Sequence, residues 1–402
     1  MPEPAVALVR GRAAAGAAVV AVLLVGAAAV SKSAGLALAT RSPDTALRVD
    51  PSNSIALAQA ALRDVQVDQS AAARERVRGM AARAIRRDAA NATALSALGL
   101  ATADGVAANK MFLASEALSR RSLLTQLALI EQSVARNDVA AALTHYDIAL
   151  RTSPGSASIL FPVLVEAVSD AELLPAIAKK LAARPAWGET YLMQLAQVGT
   201  ALPNAASLFV GLARMGHAPN ASATATLYQR LIEAQRYDDA WRMYAAARPA
   251  ASRTGVRNGD FRTANDNQTP FDWVPTTESP VTVNFESGAA GGGRLSFSSP
   301  LGEGGTAARQ LLLLGAGTHV IQATAYGIKA AADARPYFKL DCAAGGVELG
   351  RVPLTAAERS NGLVNFRVAV PATCKAQWLS LVLQPSSSSE SIEGAIGGVS
   401  VR

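Results

Sequence analysis

Hydrophobic positions divide the chain into three stretches with different periods. Ala13 to Val30 is an unbroken run of 18 Ala, Val, Leu and Gly residues. As a helix rising ~1.5 Å per residue it would span ~27 Å, close to a ~30 Å hydrocarbon core. Residues 46–250 alternate short amphipathic segments of helical period with Pro, Gly, Asn and Ser, which predicts a series of short helices. From about Arg253 the text turns to Gly, Ser, Thr, Pro and short two-residue alternations, which predicts strands. The strands expected are Val281–Glu286, Arg294–Ser298, Thr318–Ile328, Pro336–Cys342, Leu363–Val370, Gln377–Leu383 and Ala395–Val401. In Gln377–Leu383, Leu379, Leu381 and Leu383 fall on one face, with Trp378, Ser380 and Val382 on the other.

These elements give a multidomain α plus β chain: a cytoplasmic N-terminus at 1–12, an apolar segment at 13–30, a linker at 31–45, helices over 46–250 and an antiparallel β-sandwich over 255–402. Arg10 and Arg12 precede the apolar run, which favours a cytoplasmic N-terminus and an exported remainder. Besides a buried helix of a soluble domain, two membrane readings of 13–30 stand, a single transmembrane helix in the inner membrane or a signal peptide cleaved near Ala37-Leu38-Ala39. Both send the bulk of the chain to a periplasm.

Composition narrows the chemistry. Half of the 402 residues are hydrophobic, so the chain is not disordered throughout. The net charge of +7 is spread as +2, +4 and +1 over 1–45, 46–250 and 251–402, without the concentrated patch of a nucleic-acid footprint. Three histidines and two cysteines leave little for a zinc or iron site, and no metal or cofactor is expected. Neither a His-Glu-x-x-His helix, a phosphate-cradling Gly-Lys-Ser loop nor a Gly-x-Ser-x-Gly elbow occurs, so the chain is read as a binding protein without catalytic residues. Gly288–Gly293 reads as a hairpin loop between two strands, and Asn265-Asp266-Asn267 as a plain turn. Cys342 and Cys374 both lie beside expected strands and are read as one disulfide, the alternative being two buried thiols.

Two resemblances refine this picture. The pattern Ala-x3-X-x2-Ala recurs at Ala142/Tyr146/Ala149, Ala176/Lys180/Ala183, Ala206/Val210/Ala213 and Ala240/Tyr244/Ala247, at intervals of 34, 30 and 34 residues. With Pro154 it resembles the second helix of a tetratricopeptide repeat, and Ala46 before Asp50-Pro51 and Ala84 before Asp88 continue the register loosely. The resemblance implies stacked helical hairpins that bind protein partners. Asn258-Gly259-Asp260-Phe261, Phe271-Asp272-Trp273 and the closing Gly397-Gly398-Val399-Ser400-Val401 resemble carbohydrate-binding jelly rolls of the galactose-binding-like superfamily. Arg262 stands where that family has an acidic residue, and Gly397-Gly398 where it has Asp-Asn.

The leading expectation is a membrane-anchored periplasmic scaffold, with a role in exopolysaccharide or cell-envelope assembly. The alternative is a carbohydrate-recognition protein whose sandwich binds a polysaccharide, with a glycan-processing enzyme as the third reading. Its candidate aromatics are Trp273, Tyr326, Tyr337 and Trp378, since sugar rings stack on exposed aromatic faces. Arg76, Arg83 and Arg87, spaced seven and four apart within a run of six arginines, share a helix face that could grip an anionic partner.

Overall fold

The computed structural model describes residues 25, 27–262, 268–276, 280–286, 292–355, 362–385 and 391–402. The chain forms two compact units divided between Leu160 and Phe161. The first opens with a helix over 27–38 (α1). It continues through α2 (Pro43–Val49), α3 (Ser54–Val67), α4 (Ala71–Arg87), α5 (Ala92–Leu100), α6 (Gly105–Leu118), α7 (Leu123–Ala135) and α8 (Val139–Thr152). Most of the expected apolar segment at 13–30 lies outside the described residues. Among those described, no helix is long and apolar enough to cross a membrane.

Helices pair as α3–α4, α5–α6 and α7–α8. A turn that recurs 38 residues apart joins successive pairs. Asp50 and Asp88 each accept, through Oδ1, the N–H of the residue two further on, Ser52 and Ala90, at 3.1 Å. Asn53 and Asn91 then cap the next helix by accepting from Ala56 N and Ala94 N at 3.0 Å. Each short polar side chain thus takes up donors that a helix start leaves unpaired. The Ala-x3-X-x2-Ala frame is buried throughout only in α8, where Ala142, Tyr146 and Ala149 are all enclosed. Elsewhere it runs off the helix or its buried stripe: Ala183 lies one residue past α10 (Leu174–Ala182) and is exposed. His145, on α8, meets Gln126 Oε1 at 3.0 Å and Glu116 Oε1 at 3.2 Å, so it packs between helices.

The second unit carries α9 (Ala157–Ala167, across the division), α10, α11 (Gly188–Val198), α12 (Leu202–Arg214), α13 (Ala221–Glu233) and α14 (Tyr237–Ala247). Ten strands follow: β1 (Val274–Pro275), β2 (Thr282–Glu286), β3 (Arg294–Ser299), β4 (Gly305–Leu312), β5 (Gly317–Lys329), β6 (Tyr337–Cys342), β7 (Glu348–Pro353), β8 (Gly362–Val370), β9 (Gln377–Leu383) and β10 (Ile392–Val401). They form two antiparallel five-stranded sheets, β1-β4-β9-β6-β7 and β2-β3-β10-β5-β8. The core lies between them, and the pleat decides who enters it. Phe338 and Leu340 on β6, and Leu379, Leu381 and Leu383 on β9, are fully buried, while their alternates face outward.

The Asn258-Gly259-Asp260-Phe261 segment closes this sandwich. Gly259 O accepts from Val399 N on β10 at 2.8 Å, and Phe261 is buried against Trp273, ring centroids 5.8 Å apart. Asn258 and Phe261 both take left-handed backbone angles, φ +48° and +51°. Only a well-packed surround holds a bulky residue there.

Within the same unit a buried arginine ties the last helix to the sandwich. Arg257 Nε donates to Phe271 O at 2.5 Å, Nη1 to Gly255 O at 3.1 Å, and Nη2 to Leu311 O. Its guanidinium lies 5.3–5.7 Å from the rings of Trp241, Tyr244 and Phe271. Burial brings its pKa down to about 10, so it stays charged at neutral pH. Tyr244 Oη donates to Asp272 Oδ1 at 2.9 Å, and burial followed by the Asp272 charge pushes the phenol up to about 12.

Candidate functional site

The four aromatics expected to meet sugar part company in the fold. Trp273 is fully buried beside Phe261 and offers no ring face to solvent. Tyr326 is half-buried on β5, in the β2-β3-β10-β5-β8 sheet, with the Arg294 guanidinium 3.9 Å above its ring. Tyr337 and Trp378 share the outward face of the other sheet, on the neighbouring strands β6 and β9. Trp378 stands opposite Asp341 and Tyr337 opposite Val382. At ~3.3 Å per residue, the two rings are separated by about 13 Å along the strands.

That outward face is built by alternation. β6 contributes Tyr337, Lys339 and Asp341; β9 contributes Trp378 and Ser380; β4 contributes Arg309, paired with Ser380. With Val274, Pro275 and Thr276 at the β1 edge, and Thr306, all of these but Tyr337 line a depression of about 330 Å³. Trp378 is its half-buried apolar wall. Asp341 is only 9% exposed. Its Oδ1 and Thr276 Oγ1 are buried with no hydrogen-bond partner among the described residues. Lys339 Nζ does lie 3.1 Å from Asp341 Oδ1, near enough for an ion pair but off a hydrogen-bonding direction. Leaving a buried oxygen such as Thr276 Oγ1 unpaired costs about 1–3 kcal/mol, while the Lys339 charge offsets part of that cost at Asp341.

Arginines stack on both outward rings, Arg309 4.4 Å over Trp378 and Arg351 5.0 Å over Tyr337. Arg351 is also chelated by Glu348, at 2.7 and 2.6 Å, and this hydrogen bonding holds the Glu348 carboxyl below the usual carboxylate range. Sequence reading found the two aromatics and missed Arg309, Lys339, Asp341 and Thr276. The alternation Tyr337-x-Lys339-x-Asp341 was a usable signal for β6. Nothing in the sequence marked Arg309, because β4 itself was not foreseen.

The arginine run on α4 is largely engaged locally. Arg76 pairs with Asp68 at 3.7 Å, and Arg83 donates to Pro51 O at 3.2 Å; Arg87 is exposed. Arg78, from the same run, bonds Glu75 and Ala101 O. Cys342 and Cys374 are joined in a disulfide with Cα atoms 5.5 Å apart. The loop it closes is worth about 3–4 kcal/mol in the chain-entropy account. Among the described residues no cluster of His, Cys, Asp or Glu could hold a metal ion. The turn at 265–267 lies outside them.

No protein-family model and no curated protein matches the chain. Solved structures to which it is similar include a CBM4 structure, at 16% identity over 36% of this chain and 97% of that one, TM-score 0.27. TmCBM61 in complex with β-1,4-galactotriose matches at 16% identity over 38% and 96%, TM-score 0.24. The C-terminal CBM6 of LamC, a marine laminarinase from Zobellia galactanivorans, matches at 16% identity over 29% and 90%, TM-score 0.20. What the face of this sandwich binds has to come from its own residues.

Proposed function

We propose that the C-terminal sandwich is a carbohydrate-binding module that takes a polysaccharide on the outward face of its β1-β4-β9-β6-β7 sheet. The observation that carries this reading is the depression beside Trp378. It joins a half-exposed indole to two buried oxygens that have no hydrogen-bond partner among the described residues, which is the mix of apolar wall and few oriented polar groups that ligand sites use. The helices, which we read as tetratricopeptide-like hairpins, would hold protein partners and present the sandwich. We place the protein in the periplasm, held to the inner membrane through 13–30 or released by cleavage there. The disulfide supports that location, since such bonds persist in oxidising compartments. We read the chain as a binding protein and not an enzyme.

Affinity electrophoresis of the protein through gels loaded with different polysaccharides tests the proposal. At least one polysaccharide should retard the wild type, and Trp378→Ala should weaken retention about tenfold or more while the melting temperature stays put. No retardation by any polysaccharide, or undiminished retention by Trp378→Ala, would sink it.

A further inference from the structure

The charges on the outward face do not balance, and the excess is concentrated at one side chain. Lys339 and Asp341 lie 3.1 Å apart and offset each other. Arg351 is held by both oxygens of Glu348. Arg309, by contrast, lines the depression with no carboxylate among the described residues at ion-pair distance. Its guanidinium lies 4.4 Å from the centroid of the Trp378 ring. A guanidinium that rests over an aromatic ring keeps the N–H groups of its planar fork able to hydrogen-bond a ligand.

The placement discriminates between sugars. A neutral pyranose stacking on Trp378 would have to displace the guanidinium from the ring. A sugar carboxylate would leave the stack in place and accept two parallel N–H bonds from the edge of the fork. Hydroxyls of the same sugar, which both donate and accept, would then meet Asp341 Oδ1 and Thr276 Oγ1 in the depression. The Asp341 charge does not repel such a ligand outright, because Lys339 stands beside it.

We propose that the polysaccharide taken by this face is acidic, a polyuronate whose carboxylate pairs with Arg309 while its hydroxyls bond Asp341 and Thr276. The inference rests on the carbohydrate-binding reading above and adds to it the ligand's charge and the residue that selects it. Arg309 is a specificity residue in this scheme, and Trp378 the platform that positions it.

The full chain is tested by affinity electrophoresis against polygalacturonate, alginate and hyaluronate, each beside its carboxyl-reduced counterpart. At least one acidic form should bind about tenfold or more tightly than its reduced form, and Arg309→Gln should remove that margin. Arg309→Lys should recover part of it, since a lysine keeps the charge but loses the fork. If a carboxyl-reduced polymer binds as well as its parent, or Arg309→Gln binds the acidic form as the wild type does, the assignment of an acidic ligand falls and the carbohydrate-binding reading stands. If none of these polymers binds in either form, the acidic assignment falls, and the carbohydrate-binding reading falls with it only if the wider polysaccharide panel also gives no retardation. Circular dichroism of each variant confirms that the fold is unchanged.

Discussion

Gly259 gives the sharpest test of how the sandwich closes. A Cβ built at this position would lie 1.9 Å from Val399 O and 2.9 Å from Val399 C, both backbone atoms of β10. Ordinary contact begins at 3.4 Å, so an alanine arrives about 1.5 Å too close, and neither obstacle is a side chain that could rotate away. The glycine is there for close approach, because its backbone angles are not in the left-handed region. Relief requires the segment to lift from β10, which breaks the 2.8 Å bond from Val399 N to Gly259 O. Overpacking of a tight core costs about 1–3 kcal/mol. An unpaired buried backbone group costs about 1–3 kcal/mol more, so Gly259→Ala should lose about 2–6 kcal/mol in all. Urea unfolding followed by tryptophan fluorescence measures it, since Trp273 sits in the affected core. Gly255→Ala, four residues upstream, is the control: its Cβ would meet nothing nearer than Ser252 Oγ at 3.6 Å, and a shift within about 0.5 kcal/mol is expected. Equal midpoints for the two variants would refute the close-approach account.

Two further outcomes follow from burial and charge. Trp273→Ala should cost about 3–5 kcal/mol in thermal or urea unfolding, because the indole is fully enclosed, while the half-exposed Trp378→Ala should cost far less; similar losses for both would place Trp273 outside the core. Burial of Asp239 raises its carboxyl, but hydrogen bonds from Arg242 and Arg236 outweigh that and hold it below the usual range. Its folded pKa is depressed, so the stability it contributes is present above the unfolded carboxylate value of ~3.9 and disappears as pH falls through the folded pKa. Asp239→Asn should therefore flatten the acid side of a stability-against-pH curve, and an unchanged acid slope would show that the pair contributes nothing.

Much of the architecture could be read from periodicity, and the omissions have physical causes. Seven strands lie close to their expected bounds, and Gln377–Leu383 matches β9 at both ends. β4 escaped because five of the eight residues of Gly305–Leu312 are buried, on both faces, so the strand shows no clean alternation. β7 escaped for the opposite reason: Glu348–Pro353 is an edge strand without one fully buried side chain. The disulfide was legible because both cysteines flank strands, and strand pairing brings them together. The site was half legible. Alternation on β6 and β9 exposes Tyr337 and Trp378, but the depression also needs β4 to lie beside β9, and sheet order is a long-range property that no local pattern carries. For the same reason Arg257 has no special standing in the sequence, although its four carbonyl partners and three rings converge from segments up to 54 residues away.

The residues that resemble carbohydrate-binding jelly rolls and the residues that line the depression are different sets. Gly259 abuts β10, Phe261 and Trp273 fill the core, and Asp272 accepts the Tyr244 hydroxyl. Every one of them is committed to closing the sandwich or joining it to α14. The depression is lined by Arg309, Lys339, Asp341 and Trp378, which take no part in that closure. Replacing them leaves the core untouched, so the ligand can change while the opening motif stays fixed. The motif therefore reports on fold, and the proposed ligand is argued only from the outward face of β4, β9 and β6. In this chain that face carries an arginine 4.4 Å over an indole, and the proposal of an acidic ligand rests on that pair and not on the opening motif.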